Sequence, residues 1–450
     1  MINLSEEKLS GYVGKVLQAL KKAGAEIGDV VRITKDNRTL EGILIPRSEY
    51  ADDNHVVIKI KSGYNIGIQI TAAIRIEKIG EGAKPTFQTP PLPKQKPDLA
   101  SVAILSTGGT IASRVDYRTG AVRPALTAND LYSVVPELAD IAAIDTEILL
   151  SIFSENITPK HWAEIAKSVA KHIENGKSGV IIAHGTDTLG YTAAALSFAL
   201  QNLPVPVIIV GSQRSADRPS SDGATNLLAA VKVATTAPFA GVYVAMHETV
   251  SDRGIVFHRG TKVRKCHTSR RDTFKSVNVA PVARLEDEAL TLLVEDYDKR
   301  DQSRSLMLRP NFDEKVALVK FYPSMDAGVV EWYVDNGFRG IVLEGTGLGH
   351  VGSFLFPSIK KAIENNVIVA MTSQCIWGRL GMEVYYTGRD LLALGVVPLE
   401  DMLAETALVK LMWIFGQTKD VGEAKKLLLT NIAHEFSPRT IYEEATRHGY

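Results

Sequence analysis

Three regimes of hydrophobic patterning divide the chain. In the first, Leu9, Val13, Val16, Leu17 and Leu20 recur at helical spacing and SEEK opens the run with acids, so Ser5 to about Gly24 predicts a short amphipathic helix. The period then drops to two. DVVRITKDNRTLEGILIP predicts two strands around Asp36, Asn37 and Arg38, HVVIKIKSGYNIGIQI two more around Lys61, Ser62 and Gly63, and AAIRIEKI a fifth. Short strands at this density predict a small β-barrel or sandwich, so residues 1–80 read as a helix followed by a compact β domain. The stretch GEGAKPTFQTPPLPKQKPDLA has no period and is rich in Pro, Gly and Lys, which predicts an extended, solvated linker over 81–98.

From Ser101 onward the texture changes again. SVAILST, IDTEILLSIF, GVIIAHG, VPVIIVGS and GVYVAMHE are apolar runs of strand length. Helical patterns lie between them: TPKHWAEIAKSVAKHIENG, closed by Gly176, then DTLGYTAAALSFALQ and SSDGATNLLAAVKVATT. Apolar strands alternating with helices predict an α/β domain with a mostly parallel sheet covered on both faces, here spanning 99–295. The pattern breaks at roughly 285 to 314, in the charged run EDYDKRDQSR, and restarts with VALVKFY, GIVLEG and NVIVAMTS. That restart predicts a second, smaller α/β domain over 296–450, ending in helices rich in Leu and Ala.

Composition narrows the functional classes. At 450 residues the chain is too long for one core. Lys plus Arg and Asp plus Glu both number 51, so there is no global attraction to nucleic acid or anionic membrane, and any RNA contact requires a local patch or a partner. The two cysteines, Cys266 and Cys375, exclude a disulfide framework and zinc-type spacing and suit a reducing cytoplasm. The start MINLSEEKLSGYVGKVL predicts no secretory leader, and no apolar run reaches the roughly 18 residues a membrane span needs.

Open α/β sheets bind ligands at the carboxyl ends of their strands, and small polar residues concentrate there. These ends carry Thr107-Gly108-Gly109-Thr110, then Ser154-Glu155-Asn156 after a strand at 144–153, then His184-Gly185-Thr186-Asp187-Thr188, then Gly211-Ser212-Gln213-Arg214. A further loop, RGTKVRKCHTSRRDTF, adds Lys262, Arg264, Lys265, Arg270 and Arg271 to the same rim. In TGGT, glycines permit a sharp turn and close approach, backbone N–H groups can cradle an oxyanion, and the adjacent hydroxyl can attack a carbonyl if something takes its proton. A strand followed by Gly-Gly-Thr more often marks a phosphate loop or a plain turn, although GxxxxGK[ST] and GxGxxG are both absent. Thr188 reads as a helix N-cap, and Asp187 either as a cap or as the partner of a ligand amine. Lys265 reads either as functional or as one more exposed basic residue, His184 as a satisfied strand-end residue, and the cysteines as inert thiols.

Taken in order, ILSTGGTIA, SENIT, HGTDTLGYTA, VGSQRSADRPSSDGATNL and KCHTSRRDTFKSVN resemble the bacterial-type asparaginase and glutaminase family, over roughly Ser101 to Leu429. The resemblance implies that Thr110 is the nucleophile that forms an acyl-enzyme with a side-chain amide. It implies that Thr186, Asp187 and Lys265 support proton transfer, Asp187 also holding the substrate α-ammonium. It places Ser154 on the α-carboxylate and Gly109 beside the developing oxyanion. Tyr117 falls near the family's lid tyrosine, with altered spacing in DYRTGAVRP, and Glu155 stands where relatives often carry Gln. EGTGLGH, Glu344 to His350, lacks the usual asparagines of the segment that closes a neighbour's site. About a hundred residues precede TGGT, a layout that resembles the D subunits of archaeal glutamyl-tRNA(Gln) amidotransferases. That likeness implies a glutaminase that hands ammonia to the amidotransferase's E subunit, which uses ATP and Mg and makes most of the contact with Glu-tRNA(Gln). It implies no cofactor in this chain, a homodimer within a heterotetramer, and a cytoplasmic location. A free L-asparaginase and an RNA-binding scaffold are the competing expectations.

Overall fold

The structure is a computed structural model that describes residues 9, 11–35, 38–47, 52–60, 65–71, 73–81, 98–109, 113–115, 122–124, 135, 137–214, 221–251 and 253–440. Two of the expected site residues, Thr110 and Tyr117, lie outside the described residues, as do the linker residues 82–97.

The period-two segments form one antiparallel sheet of β1 (Val30–Lys35), β2 (Arg38–Leu44), β3 (His55–Lys59), β4 (Asn65–Gln69) and β5 (Arg75–Gly80), in the order β4-β3-β2-β1-β5. Val31, Ile33, Leu44, Val56 and Ile58 alternate onto one face, where helix α1 (Gly14–Lys22) lays Val16 and Leu20 against them. Burial of each such side chain stabilises the fold by about 1.5–3 kcal/mol. The helix starts later than its periodicity predicts: Val13 sits at the N-cap in extended conformation and is 47% exposed.

The catalytic-type motifs are carried by a second sheet. Its parallel part is β6 (Ser101–Ser106), β9 (Ala143–Ile148), β10 (Gly179–Ala183), β12 (Pro206–Val210) and β13 (Gly241–His247), ordered β9-β6-β10-β12-β13. A short antiparallel ribbon, β7 (Ser113–Val115) with β8 (Val122–Pro124), follows β6 in the chain. These strands look uniformly apolar because both faces are covered. Val102, Ile104, Ile181 and Ala183 pack under helix α5 (Gly223–Thr236) and the single turn α2 (Leu138–Ile141). Their neighbours Ala103, Leu105, Val180 and Ile182 pack under α3 (Pro159–Glu174) and α4 (Leu189–Ala199). A Thr158–His161 capping box with Pro159 opens α3, and Gly176, at φ +81°, follows its end.

Two features depart from expectation. The strand expected at 144–153 ends at Ile148, because Leu149 N and Leu150 N both donate to Ser106 O (2.9 and 3.0 Å) and the ladder stops; Ser154–Asn156 forms a 3₁₀ turn instead. The sheet also turns antiparallel beyond β13, through β14 (Ile255–Arg259), β17 (Ala283–Glu286) and β18 (Ala289–Leu292). Asp287 and Glu288, both left-handed (φ +45° and +74°), make the tight turn of the last hairpin, so the pattern break begins inside this sheet. Residues 298–301 then run back along its amino-terminal edge, where Ala240 N donates to Asp298 O (2.8 Å) and Asp301 N to Pro204 O (3.1 Å). The two-residue strands β11 (Leu200–Gln201) and β19 (Met307–Leu308) pair there, and β15 (Val263–Lys265) pairs with β16 (Phe274–Ser276) nearer the rim.

The third sheet is parallel: β20 (Val316–Lys320), β21 (Gly340–Gly345), β22 (Ile368–Ser373) and β23 (Val397–Pro398). Helices α6 (Gly328–Asp335), α7 (Phe356–Glu364) and α8 (Tyr386–Leu394) supply the core on one face. Helices α9 (Ala404–Gln417) and α10 (Val421–Leu429) cover the other. That second core is shared with the large domain: Trp413 stacks on Phe198 at 5.9 Å between centroids, and Trp162 joins the same cluster. Two buried ion pairs stitch the seam, Lys262–Asp401 (2.7 Å) and Lys410–Glu435 (2.6 Å). Residues 431–437 complete it, since Ser437 N donates to Asp401 (2.9 Å) and Thr261 donates to Ala433 O (2.8 Å). Among the described residues no helix is long and apolar enough to cross a membrane.

Candidate active site

Three of the strand-end loops are pressed together by glycines. Gly109 is left-handed (φ +83°), and a Cβ there would lie 2.5 Å from Gly185 N. Gly185 in turn meets Ser154: a Cβ on Gly185 would lie 2.7 Å from Ser154 Cβ and 2.8 Å from its Oγ. Only glycine permits both approaches, which bring TGG, SEN and HGTDT to one point on the rim. Ser154 is buried there (4% exposed), and Glu155 beside it is exposed.

The charged group stands next to this contact. Lys265 Nζ donates to Thr186 Oγ1 at 2.8 Å and to Asp187 Oδ1 at 2.7 Å. The lysine side chain is 17% exposed and the aspartate 68%, so the pair faces an opening instead of the core. Lys265 is aimed by its hairpin, in which it pairs with Phe274. The hairpin's tip is held by Asp272, which takes two bonds from Arg270 (2.9 and 2.7 Å) and one from Lys275 (3.2 Å). Burial pushes the Asp272 carboxyl up, and Lys275 and Arg270 more than offset this, leaving it below the usual carboxylate range.

Of the basic residues expected on this rim, Lys265 alone among Lys262, Arg264, Lys265 and Arg270 contacts Thr186 and Asp187. Lys262 is fully buried against Asp401, Arg264 pairs with Glu405 (3.1 Å), and Arg270 is committed to Asp272. Burial drives the Lys262 ammonium below the usual lysine range, although Asp401 works against it. Thr188 occupies the N-cap position of α4 without capping it; its hydroxyl donates to Ser154 O (2.6 Å) and ties HGTDT to SEN. His184 is fully buried, with Nδ1 2.6 Å from Gly185 O and Nε2 2.9 Å from Thr192 Oγ1. Trp162 Nε1 donates to the same hydroxyl (3.1 Å), so a neutral imidazole satisfies the whole chain. Burial pushes the His184 pKa down to about 4, against the Gly185 carbonyl.

One positioning residue was not anticipated. Asp222 is 1% exposed and accepts from Ser212 Oγ (2.8 Å), Gln213 N (3.0 Å) and Arg214 N (3.0 Å), bracing the GSQR loop. Asn226 adds a bond to Gly211 O (3.0 Å), and a Cβ on Gly211 would lie 2.7 Å from Thr186 Cγ2. The fourth loop thus backs the threonine that Lys265 contacts. Asp222 lies in SSDGATNL just ahead of a helix, where an acid ordinarily signals a cap. On the small-domain side Glu344, 8% exposed at the end of β21, has its carboxyl pushed up by burial, with Lys320 and Arg264 opposing and Glu405 adding. No cluster of three or more His, Cys, Asp or Glu able to hold a metal occurs among the described residues.

Family comparisons divide the chain in the same way. The profile described as "Asparaginase, N-terminal" matches residues 101–296, "Glutaminase/Asparaginase C-terminal domain" matches 315–428, and "GatD N-terminal domain" matches 25–79. The D subunit of the glutamyl-tRNA(Gln) amidotransferase from Pyrococcus furiosus is 51% identical over 432 residues, covering 95% of this chain and 98% of that one. The chain belongs to the family of glutamyl-tRNA(Gln) amidotransferase D subunits. A member from Methanothermobacter thermautotrophicus is 48% identical over 430 residues, covering 95% of this chain and 98% of its own. Among solved structures, the thermostable L-asparaginase from Thermococcus kodakarensis superposes with TM-score 0.68 at 31% identity, covering 75% of this chain and all of that one. The family therefore joins an asparaginase-like two-domain core to an additional N-terminal β domain.

Proposed function

We propose that this chain is the glutamine-hydrolysing component of a tRNA-dependent amidotransferase. The observation that carries the reading is the Lys265 ammonium held 2.8 Å from Thr186 and 2.7 Å from Asp187, beside the Gly109–Gly185–Ser154 contact. In this reading Thr110, next in sequence after Gly109, attacks the side-chain amide carbon. Its proton passes through the Thr186–Asp187–Lys265 relay to the leaving nitrogen, and the C–N bond breaks to give ammonia and a threonine ester. Water then attacks the ester through the same relay, releasing glutamate and restoring the hydroxyl. Backbone N–H groups around Gly109 stabilise the oxyanion. Ser154 holds the substrate α-carboxylate and Asp187 its α-ammonium, with Glu155 and Tyr117 completing the pocket.

Ammonia passes to the E subunit, a kinase and transamidase that phosphorylates Glu-tRNA(Gln) with ATP and Mg and makes the main tRNA contacts. The assembly is a heterotetramer around a homodimer of this chain, working in the cytoplasm. Residues 1–80, 81–98, 99–295 and 296–450 act as β domain, linker, large catalytic domain and smaller domain. The likeness to a free L-asparaginase supports a second reading, hydrolysis of asparagine without a partner. Ammonia release from glutamine and asparagine, measured with and without the E subunit and Glu-tRNA(Gln), separates the two. Glutamine hydrolysis that rises sharply on their addition supports the first reading. Fast asparagine hydrolysis indifferent to them overturns it.

A further inference from the structure

A cavity of about 430 Å³ opens at the opposite end of the large sheet from Thr186 and Asp187, where β13 begins and β14 ends. Its walls come from four places: the end of α4 with β11, the β14 terminus, the returning segment around Asp298 to Arg304, and the seam segment around His434. The volume falls within the range of small-molecule sites.

The lining is polar and carries both signs of charge. Arg259 is already occupied, donating to Asp296 O. Arg304 is not: its guanidinium, partly buried in the wall, makes no hydrogen bond or ion pair with any described residue. A guanidinium carries five N–H donors and stays charged, and its planar fork matches a carboxylate in two parallel bonds. Asp298 lies on the same wall. A hydrogen bond from His434 (Nε2 to Oδ2, 3.3 Å) pulls its carboxyl below the usual range; burial opposes this, and Arg304 and Arg259 add to it. It is thus an anion facing the same space as the Arg304 guanidinium, which attracts it without a direct hydrogen bond. Gln201 and Asn202 add neutral amides, and the backbone is held in shape for it: Asn202 and His434 are both left-handed, at φ +57° and +58°. Such conformations persist where the surroundings over-determine them, and they gather at ligand sites.

We propose that this cavity is a second ligand site, separate from the catalytic rim, that takes a free α-amino acid as its zwitterion. Arg304 receives the α-carboxylate and Asp298 the α-ammonium. A simple anion would meet the Asp298 charge and a simple cation the Arg304 charge, whereas the zwitterion satisfies both. The inference is independent of the reading of the rim, because its test measures occupancy and not turnover.

The experiment is titration calorimetry on the full chain, in a Thr110→Ala background so that no substrate is consumed. Glycine, L-glutamate and L-glutamine are the probes, with acetate as the singly charged control. Arg304→Ala and Asp298→Asn are each expected to bind one fewer amino acid per chain than the parent. Acetate is expected to bind the parent site at least about tenfold more weakly than the amino acids, the loss of one charge-assisted contact. Because the Arg304 guanidinium has no hydrogen bond to lose and only longer-range attraction to Asp298 and Asp301, its variant should melt within a few degrees of the parent, which separates lost binding from misfolding. Equal site counts in parent and variants overturn the proposal. So does acetate binding as tightly as the amino acids, which would make this an anion pocket.

Discussion

Gly185→Ala isolates the contact that assembles the rim. Gly185 is not in a left-handed conformation, so alanine meets no backbone penalty and the effect is purely steric. The added Cβ would sit 2.7 Å from Ser154 Cβ and 2.8 Å from Ser154 Oγ. Carbon–carbon contacts settle at about 3.5–4.0 Å, so SEN and HGTDT must part by about 1 Å. Overpacking of this size destabilises by about 1–3 kcal/mol. The effect on chemistry is larger, because a 1 Å misplacement of reacting groups lowers rates by about 10²-fold. The assay is kcat/KM for ammonia release from glutamine by the complete amidotransferase, alongside the melting temperature. A second variant, Ser154→Gly with Gly185→Ala, removes the clash and should recover the melting temperature while KM stays high, because the hydroxyl is gone. Gly185→Ala that melts and turns over like the parent would refute the reasoning.

Lys265→Ala should lower turnover by about 10²–10⁴-fold with little change in melting temperature, as checked by the same assay; near-normal turnover contradicts the relay. His184 makes stability depend on pH in a defined direction. Its imidazole is held down at about 4 in the fold against an ordinary 6.5, so as pH falls the unfolded chain takes up the proton first. Stability is therefore whole above about pH 6.5 and is lost toward pH 4 at about 1.4 kcal/mol per pH unit. Urea midpoints should show this slope in the parent and a shallower one in His184→Gln. Glu435→Gln should destabilise by about 3–5 kcal/mol in denaturant melts, since the fully buried Lys410 ammonium keeps its bonds to Leu428 O and Thr430 O but loses its counter-charge.

Much of this architecture is legible in the sequence because strands buried on both faces are uninterrupted apolar runs and their loops are marked by Gly, Thr and Asp. The failures are equally physical. Nothing local says that Leu149 and Leu150 will share one carbonyl and end β9 early. A Thr ahead of a helix looks the same whether it caps that helix or, as Thr188 does, reaches back to Ser154. Lys262 looked like a rim cation because a lysine's burial depends on a partner 139 positions away in the chain. Asp222 hid for the converse reason: its carboxylate takes the backbone N–H groups of the loop ahead of it and not those of the first turn of the helix it precedes.

The seam segment also sets an order of events during folding. Asp401 follows Lys262 by 139 positions, and Ala433 follows Thr261 by 172. Closures that long are slow, and until they happen the two lysines keep their water. Pairings within the sheets close shorter loops, such as Val102 with Gly179, and one end of the shared surface stays wet until residues 431–437 arrive with Glu435 and the backbone partner for Asp401. A chain stopped at residue 430 would still stack Trp413 on Phe198 but would leave Lys410 without its counter-charge, so water would enter the seam at that end.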